Sequence, residues 1–358
     1  MRTVKTMVYF SIFAVISFCM MAIIFLKKIY IKTSTMAIVM SIGIIIHGVL
    51  YHLYTSDHVS LKVFSLLNIA LWLAFVFSIT LAAVHKQFTA LHMTNPVNRF
   101  GIGTWIAGTS ICAILIFEQF THWRMAAVVL SSINVGLWFI YIGLSLRSFY
   151  ELRHKHVHGI LLLTTVSTQS IVLLLNVVHK TVPIMLDRAL IGIGLSLYLI
   201  GAFFIMKHRF TADWTIEDHW ANTNCILHGA LSITGFACIM SEAVSRQLTL
   251  SLWLVVVGVF ILVEAIEMKR LVKRLKRYGF KQGLWTYDVT QWSRIFTFAM
   301  FYTFTSLVEP DAAFLILIRE TILASGVPVI FLLLAIEILL YSPFALQTVK
   351  KPIKDRAA

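Results

Sequence analysis

Apolar residues in this chain fall into eleven stretches of membrane length, and from the second stretch onward every other one is flecked with polar residues. The stretches run over 7–26, 35–54, 61–84, 100–117, 125–147, 159–178, 185–206, 220–240, 249–267, 289–307 and 314–341. A helix needs roughly 20 apolar residues to cross the hydrocarbon core. The polar-flecked members open near Thr35, Asn98, Val157, His219 and Thr286, at intervals of 59 to 67 residues. Self-similarity at such a spacing signals one supersecondary unit used repeatedly. Here the unit is a helical hairpin, repeated five times after one extra helix. Polar residues confined to alternate helices imply two environments: an inner one that tolerates water and an outer one that meets lipid, which is how a pore is built. Strand-length alternation is missing from the sequence. The expected fold class is therefore an all-α polytopic membrane protein with five helical hairpins (ten helices) around a central pore and one extra N-terminal transmembrane helix.

Composition agrees with this pattern. Of 358 residues, 59% are hydrophobic and 13% charged, with a mean hydropathy of +0.86; soluble domains are roughly 45–50% apolar and about 25% charged. The spans leave no room for a sizeable soluble domain. The expected division is 1–34 for the extra helix and its connection, 35–346 for the ten-helix domain, and 347–358 for a basic tail. The first span begins with Arg2 and Lys5 but has a long apolar stretch, followed by Lys27 and Lys28 without a small-residue cleavage site, so it reads as a retained helix. Cys19, Cys112, Cys225 and Cys238 all lie inside apolar spans, where neither a disulfide nor a metal-type spacing is expected.

The net charge of +14 is ordered along the chain. Of the 30 Lys and Arg, 21 fall in the connections before the even-numbered spans and in the tail, with the densest run between Lys269 and Lys281; eight fall on the opposite side, and Arg294 lies within a span. The positive-inside rule makes the rich side cytoplasmic, with the N-terminus outside and the C-terminus inside. The basic excess thus reports orientation and contact with the lipid bilayer, not nucleic acid. In this orientation the five polar-flecked helices are parallel.

The polar residues of these five helices are candidates for the pore. Candidate pore-lining residues are Gly43, His47, Gly108, Thr164, Thr168, His228, Ser232, Thr290, Arg294 and Thr297. Thr164/Thr168 and His228/Ser232 are i,i+4 pairs that share a helix face. For any single glycine or hydroxyl, close helix packing is the plainer explanation. Arg294 is the sharpest residue: an arginine deep in a span costs about 2.5–3.5 kcal/mol on insertion scales and needs a cavity or a partner. It is either a fixed charge that draws anions or half of a buried pair, with Glu337 or Glu264 as the partner. His47, His52 and His228 lie in spans, and His154, His156 and His158 form an H-x-H-x-H run at a boundary; the run reads as a solvated loop, and His47 and His228 as pore-lining or pH-sensing groups. Asp213, Glu217 and Asp218 read as a solvated helix start. Signatures of membrane enzymes and phosphate loops are missing, so neither catalysis nor a cofactor is expected.

Four stretches carry a resemblance to a known family: Ala37-Ile-Val-Met-Ser-Ile-Gly43, His92-Met-Thr-Asn-Pro-Val-Asn-Arg-Phe100, His219-Trp-Ala-Asn222 and Gly283-Leu-Trp285. In order and spacing, from about Thr35 to Leu346, the chain resembles the tellurite-resistance/C4-dicarboxylate transporters, which are related to plant slow-type anion channels. The resemblance implies five hairpins around a pore, with odd core helices inside and even ones outside. It also implies a homotrimer with one pore per subunit, and a small-anion substrate such as an inorganic anion, sulfite or a C4-dicarboxylate. The family gate is a phenylalanine on the ninth core helix, for which Tyr287, Phe296 and Phe298 are the candidates here. Family inner helices are often kinked by proline, whereas Pro96, Pro183, Pro310, Pro328, Pro343 and Pro352 all lie outside the five inner spans. The expected function is an anion channel or transporter in the plasma membrane. A histidine-based haem or redox protein and a non-conducting scaffold or sensor of the same fold are the alternatives.

Overall fold

A computed structural model describes residues 2–54, 58–152, 157–179, 181–207, 215–216 and 220–350. Among these residues the chain is helical, without strands. We label the helices α1 (Arg2–Lys27), α2 (Thr33–Leu53), α3 (Val59–Val84), α4 (Pro96–Gln119), α5 (Thr121–Leu152), α6 (Gly159–Val178), α7 (Ile184–Lys207), α8 (Asn222–Ser241), α9 (Arg246–Gly283), α10 (Trp292–Leu307) and α11 (Ala313–Lys350). All but α10 are long and apolar enough to cross a membrane, which makes the chain a polytopic membrane protein. Helix α10 has 16 residues, about 24 Å at 1.5 Å per residue. The 3-10 turn Val289–Gln291 ahead of it brings the segment close to the roughly 30 Å of hydrocarbon.

The five polar-flecked helices close on themselves. Helix α2 packs on α4, α4 on α6, α6 on α8, α8 on α10, and α10 again on α2. Between 72% and 89% of the spanning windows of α2, α4, α6 and α8 are buried, against 11–44% for the other spans, so the alternation of polar and apolar helices is an alternation of inner and outer ones. Helices α3, α5, α7 and α9 each sit in the groove between two inner helices, α11 packs on α10, and α1 packs on the outside of α3. The outer helices turn large apolar side chains such as Phe139, Phe203, Leu262 and Leu332 outward, where lipid would meet them.

All inner helices begin at one end of the ring. Their entry segments, Thr33–Met36, Pro96–Gly101, Gly159–Leu162, Asn222–Cys225 and Val289–Gln291, touch one another in a closed circuit. Pro96 takes the first helical position, where its missing N–H costs nothing, and Asn95 caps it by accepting from the Val97 N–H at 2.9 Å. Neighbouring entries are laced together: the Gly159 N–H donates to Asn224 Oδ1 at 2.8 Å, and Trp105 Nε1 donates to the Thr33 carbonyl at 2.7 Å. No proline bends an inner helix in mid-span. In α2 the helix instead widens to a π-helical stretch, Ile45–Leu50, of the kind often found where a ladder is interrupted.

Inside the ring, hydroxyls are satisfied locally. Ser41, Thr168, Ser232, Thr234 and Thr303 each donate to the carbonyl four residues back, at 2.6–2.8 Å. Three outer helices add an indole donor to a threonine hydroxyl of the next inner helix: Trp72 to Thr109, Trp138 to Thr168 and Trp253 to Thr305, at 3.0–3.1 Å. Helices α8 and α10 also approach closely. A Cβ on Gly229 would lie 2.2 Å from Thr297 Cγ2 and 3.3 Å from Thr297 Cα. Gly229→Ala is therefore expected to cost about 1–3 kcal/mol through overpacking and to lower the unfolding temperature of detergent-purified protein. Pairing it with Thr297→Ala should restore part of the loss; strictly additive effects in this double-mutant cycle would show that the contact is not tight.

Candidate functional site

The ring encloses a small cavity of about 30 Å³. It is lined by Met40, Ile44 and His47 of α2; Ala107, Ser110, Ile111 and Ile114 of α4; Ser170, Leu173 and Val177 of α6; Ile233, Phe236 and Met240 of α8; and Phe296 and Met300 of α10. All five inner helices contribute and no outer helix does. A cavity of that size holds about two waters, too little room for a hydrated anion in this conformation. Ser110 and Ser170 share a hydrogen bond at 3.2 Å, and Asn134 of α5 donates to Ser110 Oγ at 2.9 Å. Among the lining residues, His47 is the one that can carry a charge. Its Nε2 lies 3.3 Å from Glu118 Oε1, and its ring stacks on Tyr51 and meets Phe236.

A second feature lies between α8, α9 and α10. Arg294 Nη1 is 3.4 Å from Glu264 Oε2, and Nη2 is 3.0 Å from Glu267 Oε1. The carboxylates are three residues apart on α9 and so share a face. Glu267 also accepts from Trp220 Nε1 at 2.6 Å and sits 3.5 Å from Arg270. Arg270 donates to Asn222 Oδ1 at 2.7 Å, while Asn222 donates through its amide to Thr290 Oγ1 at 3.1 Å. His228 Nε2 approaches Glu264 only to 3.8 Å, beyond hydrogen-bond reach, and its ring lies among Phe260, Phe298 and Phe301. Two arginines balance two glutamates, as a buried site requires. The network ties the entries of α8 and α10 to the outer helix α9.

These placements separate the residues expected at the pore. His47 and Phe296 line the cavity. Gly43 faces Ile111 and Asn68, and Gly108 faces Met36. The hydroxyls of Thr164, Thr168, Ser232 and Thr297 donate to carbonyls of their own segments, and Thr290 accepts from Asn222. Phe298 packs on Phe260 beside His228. Tyr287 accepts from Trp292 Nε1 at 3.3 Å and lies against Tyr341 at the entry of α10, where burial holds its phenol well above the usual range. Glu337 is buried on α11, with its Oε1 lacking a partner among the described residues; the ion pairs of Arg294 run to Glu264 and Glu267 instead. The three histidines within spans face different surroundings, His52 meeting Tyr302 of α10. His158, expected in a solvated loop, is half-buried and shares a 2.8 Å hydrogen bond with Thr223, and burial lowers its affinity for a proton. His154, His156, Asp213, Glu217 and Asp218 lie outside the described residues. Sequence reasoning passed over Glu118, Glu267 and Arg270. The three-residue rhythm of Glu264, Glu267 and Arg270 was the available signal for the cluster, whereas Glu118 falls just past the apolar stretch 100–117 and carried no such signal.

A profile of the voltage-dependent anion channel family, SLAC1, matches residues 30–339. The chain belongs to the voltage-dependent anion channel family. The match takes in the five hairpins and leaves α1 outside it. No curated protein matches the chain. The family is one of anion channels and transporters in general; Arg294, Glu264 and Glu267 are not among the residues that line the cavity. Removing Arg294 would leave Glu264 without its guanidinium and two carboxylates facing one arginine, Arg270, in a site of low dielectric, at a cost of about 3–5 kcal/mol. Arg294→Gln is thus expected to unfold well below wild type in a thermal scan, and adding Glu264→Gln should recover part of the loss. Equal unfolding temperatures for Arg294→Gln and wild type would show that the cluster does not hold the helices together.

Proposed function

We propose that this protein conducts small anions across the plasma membrane along the axis of its inner ring. The observation that carries the reading is the cavity, lined by all five inner helices and by no outer one, in a chain of the voltage-dependent anion channel family. The excess of Lys and Arg on the face where the inner helices begin supports placing that face in the cytoplasm. Inorganic anions, sulfite and C4-dicarboxylates form the candidate substrate class, and a homotrimer with one pore per subunit is the assembly that the family resemblance suggests.

The wall is mostly apolar, and apolar constrictions gate by excluding water. Phe236 from α8 and Phe296 from α10 both reach the cavity. Phe296 lies on the helix that carries the gate in the resembling transporters, and it is the gate in this reading. Flux of chloride, nitrate, sulfite and malate into proteoliposomes is the direct test. Wild type should pass at least one of the four, and Phe296→Ala should raise that flux about tenfold, the factor that 1.4 kcal/mol of barrier carries. Absence of flux for all four anions in both proteins would instead favour a scaffold or sensor that has kept the ring but lost conduction.

A further inference from the structure

An anion that leaves water for an apolar cavity needs a compensating positive charge. Arg294 does not supply it: its guanidinium is directed at Glu264 and Glu267 on the outer helix α9, and the residues lining the cavity do not include it. His47 is the one ionisable side chain in the wall. It lies six residues before the end of α2 at Leu53, and its partner Glu118 lies one residue before the end of α4 at Gln119, so the pair sits near the mouth opposite the basic face.

The geometry leaves this pair incomplete. His47 Nε2 and Glu118 Oε1 face each other at 3.3 Å, while His47 Nδ1 and Glu118 Oε2 are buried with no hydrogen-bond partner among the described residues. An imidazolium presents two N–H donors and a protonated carboxyl one O–H. With both groups protonated, Nδ1–H and the Glu118 hydroxyl become free donors at one end of an anion path. The groups around the imidazole leave Glu118 in control of its charge. Tyr51 stacks on it from α2, Phe236 meets it from α8, and Leu173 and Val177 of α6 and Met300 of α10 complete the wall. Glu118 of α4 is the only carboxylate among these neighbours. Its side chain is 26% exposed, near the end of α4.

We propose that His47 and Glu118 form an acid-activated binding site for a small monovalent anion at this mouth. The proposal rests on the conduction reading above. With the carboxyl ionised the pair is net zero when the ring is protonated and net minus one when the ring is neutral; neither attracts an anion. Uptake of protons from the solution on that face leaves the carboxyl neutral and the ring positive, net plus one. One positive charge balances one negative charge. Chloride, nitrate or hydrogen sulfite is matched, whereas a dianion carries an uncompensated charge into an apolar wall.

Nitrate stays ionised and monovalent, and sulfate stays a dianion, across the range in which histidines and carboxylates titrate, so the two separate the site from the ligand's own chemistry. In planar bilayers, the pH is stepped from about 7.5 to about 5.5 on one face at a time. Wild-type nitrate flux should rise at least about threefold, well beyond a simple Debye-screening effect, when the face opposite the basic one is acidified, and sulfate flux should not follow. His47→Gln should stay low and flat, and Glu118→Gln, which needs one proton on the ring where wild type needs both groups protonated, should begin its rise at a less acidic pH than wild type. A rise that survives in His47→Gln, or an equal rise for sulfate, overturns the proposal. If His47→Gln does not yield folded protein, Glu118→Gln decides alone, and a rise that begins no earlier than that of wild type overturns the proposal. Wild type that conducts nitrate but ignores pH sinks this site and leaves the conduction reading standing. Wild type that conducts nitrate at no pH overturns both.

Discussion

Hydrocarbon offers no hydrogen bond, and the arrangement of this chain follows from where its polar side chains can find one. A helix satisfies its own backbone, but each serine, threonine, asparagine or tryptophan within a span still needs a partner inside the protein. Most partners here lie within one helical turn, through hydroxyls that donate to the carbonyl four residues back. The rest lie across a helix contact, through the indoles of Trp72, Trp138 and Trp253. Helices rich in such residues are therefore drawn to one another and away from lipid, and five of them close a ring. Interhelical hydrogen bonds in bilayers average only about 0.6 kcal/mol each, so the ring depends equally on close approach, which glycines such as Gly229 permit.

Charge obeys the same constraint more severely. Arg294 would be costly anywhere in the span without a counter-charge, and α9 supplies two at the depth where α10 needs them. The excess negative charge that this creates is balanced by Arg270, which is in turn fixed by Asn222 at the entry of α8. The cluster so ordered links three helices through groups that none could bury alone. Burying it adds little net stability, whereas losing one member is expensive. Its structural consequence is to fix the position of α9 against the ring.

The hairpin repeat, the closed ring and the parallel entries were legible because they follow from periodicity and from charge counted over long stretches, and both survive local error. The individual site residues were less legible. A threonine that bonds its own helix and one whose hydroxyl is free look the same in sequence; the hydroxyls of Thr164, Thr168, Ser232 and Thr297 donate within their own segments. Of the two partners expected for Arg294, Glu264 on the preceding outer helix pairs with it, joined by Glu267, whereas Glu337, suggested by depth along an antiparallel hairpin, does not. The π-helical stretch around His47 had no proline to announce it. Glu118 was hidden because an acid near a span end reads as a boundary residue, and only the fold brings it across to α2.

Closure of the cavity is a property of side chains more than of the ring. The inner helices meet through contacts with little slack: Gly229 lies against Thr297, and Gly43 against Ile111 and Asn68. Parting them would break many such contacts together. The cavity wall is different. Met40, Met240 and Met300 are unbranched and adaptable, and Phe236 and Phe296 turn about two bonds each. In the proposed conduction reading, rotation of a few such side chains would open the axis while the ring stays intact. That division of labour would place specificity at the one point of the wall where a charge is available. An apolar wall repels every ion by the cost of dehydration, and among the lining residues His47 is the one that could reduce that cost selectively for an anion.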